Sequence, residues 1–165
     1  MNSRKRLTRL ACLLAAALAL HLLEAQLPPL VPLPGIKLGL ANIVTLVAFA
    51  MFGAGGAAEL LLLRIVLGSL MAGSGAGILY SLAGGLVCYG VTAVLYPILS
   101  RRLWMLSIFG AIGHQLGQLG IAAAVLQSGS VMVYLPPLLA AAVVTGCFTG
   151  LCAQLCLHRL WRKES

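Results

Sequence analysis

The chain contains no aspartate, and its acidic residues are Glu24, Glu59 and Glu164 alone. Charged residues of any kind make up 8% of its 165 positions, where a soluble domain carries about 25%. So little polar surface cannot coat a water-exposed globule. There is no Walker A stretch, which excludes ATP hydrolysis by that route. There is no serine-hydrolase elbow. No CxxC pair, recognisable metal-ligand spacing or haem or iron–sulfur ligand pattern occurs either.

What is present is apolar sequence, 61% of the residues. At about 20 residues per crossing, the length allows about six to seven membrane spans with short loops. The pattern predicts an all-α polytopic membrane protein in one domain, residues 1–165, with six transmembrane helices. These cover about 8–27, 38–52, 57–71, 78–99, 103–127 and 131–160. Pro28, Pro29, Pro32 and Pro34 force an extended loop over 28–37, because proline lacks the N–H a helix needs. Gly53, Gly55 and Gly56 predict one turn, and Gly73-Ser74-Gly75-Ala76-Gly77 another. Residues 4–20 read like the start of a signal peptide, but the apolar run continues to Leu23 without a small-residue cleavage site. It is expected to remain as the first helix.

The net charge of +8 does not point to nucleic acid, since the basic residues sit between apolar runs. Arg4, Lys5, Arg6 and Arg9 precede the first helix, Arg101 and Arg102 separate the fourth and fifth, and Arg159, Arg162 and Lys163 end the sixth. With six helices all three groups fall on one side, so both termini are expected in the cytoplasm. Trp104 and Trp161 would lie near that boundary, and Tyr80 and Tyr134 near the outer one. Lys37 and Arg64 are the two basic residues outside this scheme.

A charge at the bilayer centre costs about 2.5–3.5 kcal/mol on insertion scales, so such residues face the bundle interior and bind something. Arg64 cannot easily reach Glu59, five positions earlier on the same helix. It either holds helices together or anchors a ligand. His114 and Gln118 share a helix face at spacing four, amid Gly110, Gly113, Gly117 and Gly120. They are either interhelical hydrogen-bonding groups or ligand contacts; Gln115 reads as packing. Asn42, Tyr80, Ser81 and Glu24 would lie in the same outer half, and Glu24 could hold a cation or pair with Lys37. Lys37, Arg64 and His114 would suit a carboxylate or phosphate. Ala11, Ala15 and Ala19 form a small-residue stripe on which another helix can dock, internal or separate. Cys12, Cys88, Cys147, Cys152 and Cys156 all lie in apolar runs. Cys152 and Cys156 share a face near His158, where a metal site is conceivable, but packing is the simpler reading.

Several stretches carry a family resemblance. These are Pro34-Gly35-Ile36-Lys37-Leu38-Gly39-Leu40-Ala41-Asn42, Leu63-Arg64-Ile65-Val66-Leu67-Gly68-Ser69, Tyr80-Ser81-Leu82-Ala83-Gly84-Gly85, the run from Gly110 through His114 and Gln115 to Gln118, and Tyr134-Leu135-Pro136. The chain resembles the Gx transporter family, also labelled heptaprenyl diphosphate synthase component I. That family usually has asparagine where Gln115 stands. It looks like the six-helix, substrate-binding S components of bacterial energy-coupling factor (ECF) transporters. The resemblance implies capture of a small organic molecule at the outer side of the plasma membrane, with no cofactor. Lys37, Asn42, Arg64, Tyr80, His114 and Gln118 would bind it, and 28–37 would gate it. Ala11, Ala15 and Ala19 would dock a transmembrane coupling subunit that works with ATPases. The synthase label implies another role, as a non-catalytic membrane subunit in prenyl diphosphate or quinone side-chain synthesis or in quinone- or flavin-linked electron transfer. A chain without aspartate lacks the carboxylates that hold magnesium diphosphate in prenyl synthases, so no enzyme activity is expected.

Overall fold

The computed structural model describes residues 3–27, 36–73 and 75–161. Most of the gating loop expected over 28–37 lies outside them, as do Arg162, Lys163 and Glu164. Five long helices form the bundle: α1 (Ser3–Gln26), α2 (Asn42–Met71), α3 (Gly75–Leu99), α4 (Leu103–Leu126) and α5 (Leu135–Trp161). A 3-10 turn, Gly129–Tyr134, leads into α5. Each long helix lies in a stretch apolar and long enough to cross a membrane. The outward surface carries large hydrophobics such as Leu62, Val66, Val94, Ile98, Val144 and Phe148. In water such a surface would associate, whereas lipid tails cover it without cost. The chain is therefore a multi-pass helical membrane protein.

Where six separate helices were expected, the stretch 57–71 and all of 38–52 from Asn42 onward belong to one element, α2, and residues 38–41 are not helical. The break lies at Gly53, whose φ of 72° and ψ of −171° are not helical. That region of backbone space is essentially closed to residues with a Cβ. Gly55 and Gly56, also expected in the turn, are helical. The two limbs fold back on each other, because Asn42 and Arg64 hydrogen-bond at 3.2 Å. In a continuous helix those positions would stand about 33 Å apart at 1.5 Å per residue. The first limb starts only at Asn42, so it is about 16 Å long, short of the roughly 30 Å hydrocarbon layer.

Other boundaries moved for local reasons. α1 begins at Ser3, several residues before the apolar run, and the Thr8 hydroxyl donates to the Arg4 carbonyl at 3.0 Å within it. α3 starts at Gly75, inside the expected glycine turn. Pro136 and Pro137 stand in the first turn of α5, where a missing N–H leaves no bond unmade.

α3, α4 and α5 pack through glycines. A Cβ at Gly117 would stand 2.6 Å from the Ala83 carbonyl, and one at Gly150 2.5 Å from the Trp104 Cα. Such close backbone approach replaces the hydrophobic driving force that lipid does not provide. Ser107 and Thr149 add a hydroxyl contact of 2.9 Å between α4 and α5.

The basic clusters gather at one end. Arg6 pairs with Glu59 at 3.0 Å, a few residues past the Gly53 turn. Ala50, just before that turn, lines one cavity together with Arg101 and His158. The start of α1, the α2 turn, the α3–α4 connection and the last turn of α5 thus share one end of the bundle. Glu24, Lys37, Asn42 and Arg64 lie away from it.

Gly53→Ala is expected to lower stability by about 1–3 kcal/mol, although nothing stands within 4 Å of the added methyl. Gly55→Ala, equally uncrowded but helical, should be neutral or stabilising. Thermal unfolding of both variants in detergent checks this; equal midpoints would mean that the backbone break is unimportant.

Candidate functional site

The first limb of α2 is preceded by a non-helical stretch, residues 36–41, packed against the bundle. The carbonyls of Gly39, Leu40 and Ala41 accept from the first amides of α2, and side chains of other helices bond several of the remaining peptide groups. Glu24, near the end of α1, accepts from the amides of Gly39 and Leu40, the latter at 3.4 Å. A carboxylate there also faces the positive end of the first limb of α2. The Lys37 amide donates to Gln118 Oε1 at 3.1 Å, and Gln115 Nε2 donates to the Lys37 carbonyl at 3.2 Å. Gly39 has a φ of 84°, and a Cβ on it would stand 2.8 Å from Asn42 Nδ2 and 3.0 Å from His114 Cδ2. Glycine is required there both for backbone freedom and for space.

The Lys37 ammonium lies 3.0 Å from His21 Nε2. Lysine has only donors, so this assigns the imidazole proton to Nδ1. Burial pushes the Lys37 pKa below the usual lysine range; Glu24 opposes this and Arg64 reinforces it. His21 itself packs against Gly68 on the second limb of α2, where a Cβ would stand 2.8 Å from its ring. Arg64 is buried and donates to Asn42 Oδ1 at 3.2 Å. His114 and Gln118, also buried, lie against Gly84, at which a Cβ would come 2.7 Å from the imidazole and 2.9 Å from Gln118 Cγ.

Five of the six expected ligand residues, Lys37, Asn42, Arg64, His114 and Gln118, therefore meet in one polar cluster. Tyr80 stands apart, in an apolar group with Ile36, Leu119, Ala122, Val131 and Leu138. Glu24 braces backbone amides rather than pairing directly with Lys37, and Gln115 joins the cluster through a backbone bond. His21 was not singled out in the sequence. Its signal was its position three residues before Glu24, hence on the same face of α1.

Three buried donors in this cluster, Asn42 Nδ2, Arg64 Nε and Gln118 Nε2, have no acceptor, and one acceptor, Gln115 Oε1, has no donor. Native interiors rarely leave such groups alone. Beside them a cavity of about 20 Å³ runs from Gly39 and Asn42 past Thr45 and Thr92 to Ser107 and Thr149. It has room for about one water. Ala11, Ala15 and Ala19 are exposed on α1. Among the described residues no group of three or more histidine, cysteine or acidic side chains could hold a metal, and Cys152, Cys156 and His158 form none.

The family model described as heptaprenyl diphosphate synthase component I matches residues 13–156, most of the chain. No curated protein and no solved structure matches it.

Glu24→Ala is expected to destabilise the protein strongly, because each orphaned amide costs about 1–3 kcal/mol. Glu24→Gln, which keeps an acceptor oxygen, should cost less. Hydrogen exchange at Gly39 and Leu40 together with thermal unfolding reads this out; similar behaviour of the two variants would show that the carboxylate does not hold the segment.

Proposed function

We propose, for a chain that belongs to the heptaprenyl diphosphate synthase component I family, a role as the substrate-binding subunit of a small-molecule importer. It resides in the bacterial plasma membrane with six crossings, the second made by the first limb of α2 together with the non-helical residues 36–41 that lead into it, and with both termini inside. It captures an anionic or amphipathic organic molecule at the outer side and performs no chemistry on it. The observation that carries this reading is the surplus of donors in the cluster. Lys37 and Arg64 bring two basic side chains, and three buried N–H groups, one of them the Nε of Arg64 itself, lack acceptors against the single unpartnered acceptor Gln115 Oε1. A carboxylate or phosphate would supply the missing acceptors, and charge-assisted bonds are the stronger kind.

The cluster is closed as it stands, with space for about one water. Entry of a ligand therefore requires residues 36–40 to lift from Gln115, Gln118 and Glu24. That exchange of backbone bonds for ligand bonds is the gating step. Release inward is assisted by a transmembrane coupling subunit docked on Ala11, Ala15 and Ala19, whose exposure leaves them accessible, and driven by partner ATPases.

A second reading has one observation in its favour. Glu24, Gln115 and Gln118 are engaged with backbone, which is what a purely structural clamp requires. The chain would then be a non-catalytic membrane subunit in prenyl diphosphate or quinone side-chain synthesis or in quinone- or flavin-linked electron transfer.

Mass spectrometry of the purified protein is expected to find a bound small organic anion. Lys37→Met and Arg64→Lys should each weaken its retention by about tenfold or more. Retention should also fall as pH rises, at lower pH than an ordinary lysine would give, because deprotonating Lys37 removes an attracting charge and burial lowers its pKa. This pH response should vanish in Lys37→Met. An empty protein that alters the product length or rate of a soluble prenyl synthase would favour the second reading.

A further inference from the structure

At the opposite end of the bundle lies a space of about 500 Å³ that the reading above does not use. Ala50, Leu103 and Leu157 give it apolar walls, and Tyr96, Ser100, Arg101, Gln154 and His158 give it a polar rim. Leu103 and Leu157 belong to a buried apolar cluster, so the space is backed by packed core. Arg101 and His158 are exposed at its mouth. From the geometry we infer that this space binds the phosphate-bearing head group of an amphiphile.

Charge is the first argument. No carboxylate lines the space, and the two glutamates among the described residues are engaged elsewhere, Glu24 at the other end and Glu59 with Arg6. Among the described residues the Arg101 guanidinium thus has no protein anion to meet. Its fork of N–H donors matches the oxygens of phosphate in geometry and sign. Donor chemistry is the second argument. The Ser100 and Tyr96 hydroxyls, the Gln154 amide and the His158 imidazole can each donate to oxygen. The first turn of α4 adds to this set, since Arg102 at its start makes no side-chain cap and the leading amides of a helix lack intrahelical acceptors. Shape is the third. A volume of about 500 Å³ lies within the roughly 300–1,000 Å³ range of small-molecule sites. Apolar walls below a polar rim fit a head group that continues into a hydrocarbon chain.

The phosphate can come from a bilayer lipid or from a soluble diphosphate, and the test separates them. The full chain is reconstituted in phosphatidylcholine nanodiscs and titrated in one arm with phosphatidylglycerol, in the other with inorganic diphosphate, with bound ligand counted by native mass spectrometry. Wild type is expected to hold one ligand in at least one arm. Arg101→Gln should weaken binding about tenfold, the loss expected for one charge-assisted contact, and Arg101→Lys less. His158→Gln, at an exposed position on another helix, provides an independent variant and should also weaken binding. Arg159→Gln, exposed at the same end but outside the lining, should leave it unchanged. Binding of phosphatidylglycerol alone identifies a lipid head group, and binding of diphosphate identifies a soluble source; either supports the site. No saturable binding in either arm overturns it. So does an equal loss in Arg159→Gln, which would mean diffuse attraction to a basic surface.

Discussion

The structure depends on one constraint: a stretch of non-helical backbone inside an apolar bundle must find hydrogen-bond partners without water. Hydrocarbon supplies none, and each orphaned peptide group costs several kcal/mol. Residues 36–41 are that stretch, and Glu24, Gln115 and Gln118 reach from α1 and α4 to the amides of Lys37, Gly39 and Leu40 and to the Lys37 carbonyl. The polar residues that make α4 unusual for a membrane helix have a structural task before any functional one. The same contacts set the level of the α1–α2 connection, which places Lys37 beside His21 and Asn42 beside Arg64.

This has a consequence for how the site could work. A helix that starts partway through the bundle presents its N-terminal dipole to the interior, and here Glu24 occupies that position. A ligand anion arriving at Asn42 and Arg64 would compete with Glu24 for the same positive field. Arg64 Nε, Asn42 Nδ2 and Gln118 Nε2 are left without acceptors, since Glu24 is engaged with the Gly39 and Leu40 amides. A bound anion and a lifted 36–40 segment would then be two solutions of one hydrogen-bonding problem, close enough in energy to interchange.

How much of this was legible in the sequence follows from which interactions are local. Helix existence was legible, because long apolar runs bounded by proline, glycine and arginine have few other solutions. The α2 hairpin was half legible: three glycines marked the turn, but only coordinates show that Gly53 alone leaves helical geometry. The meeting of Lys37, Asn42, Arg64, His114 and Gln118 was foreshadowed by shared depth, which topology fixes roughly. Tyr80 shares that depth but faces the apolar group around Leu119 and Val131, since facing depends on helix rotation, which a residue count does not determine. The brace at Glu24 was not legible for a similar reason. A carboxylate near a lysine reads as an ion pair in sequence, and its choice of Gly39 and Leu40 amides depends on where the chain re-enters the bundle.

The two ends of the bundle solve opposite electrostatic problems. At the base, Arg6 and Glu59 pair at an exposed site, where an ion pair contributes little to stability, and Arg4, Lys5, Arg101, Arg102 and Arg159 are exposed. At the other end, Arg64 is almost fully buried and donates to a neutral amide oxygen. Removing a buried partner is far more costly than removing an exposed one. Glu24 attracts the guanidinium from nearby, but its carboxylate bonds to the Gly39 and Leu40 amides rather than to Arg64. A buried guanidinium held by one amide oxygen keeps donors to spare, and those are the donors that the proposed anion would engage.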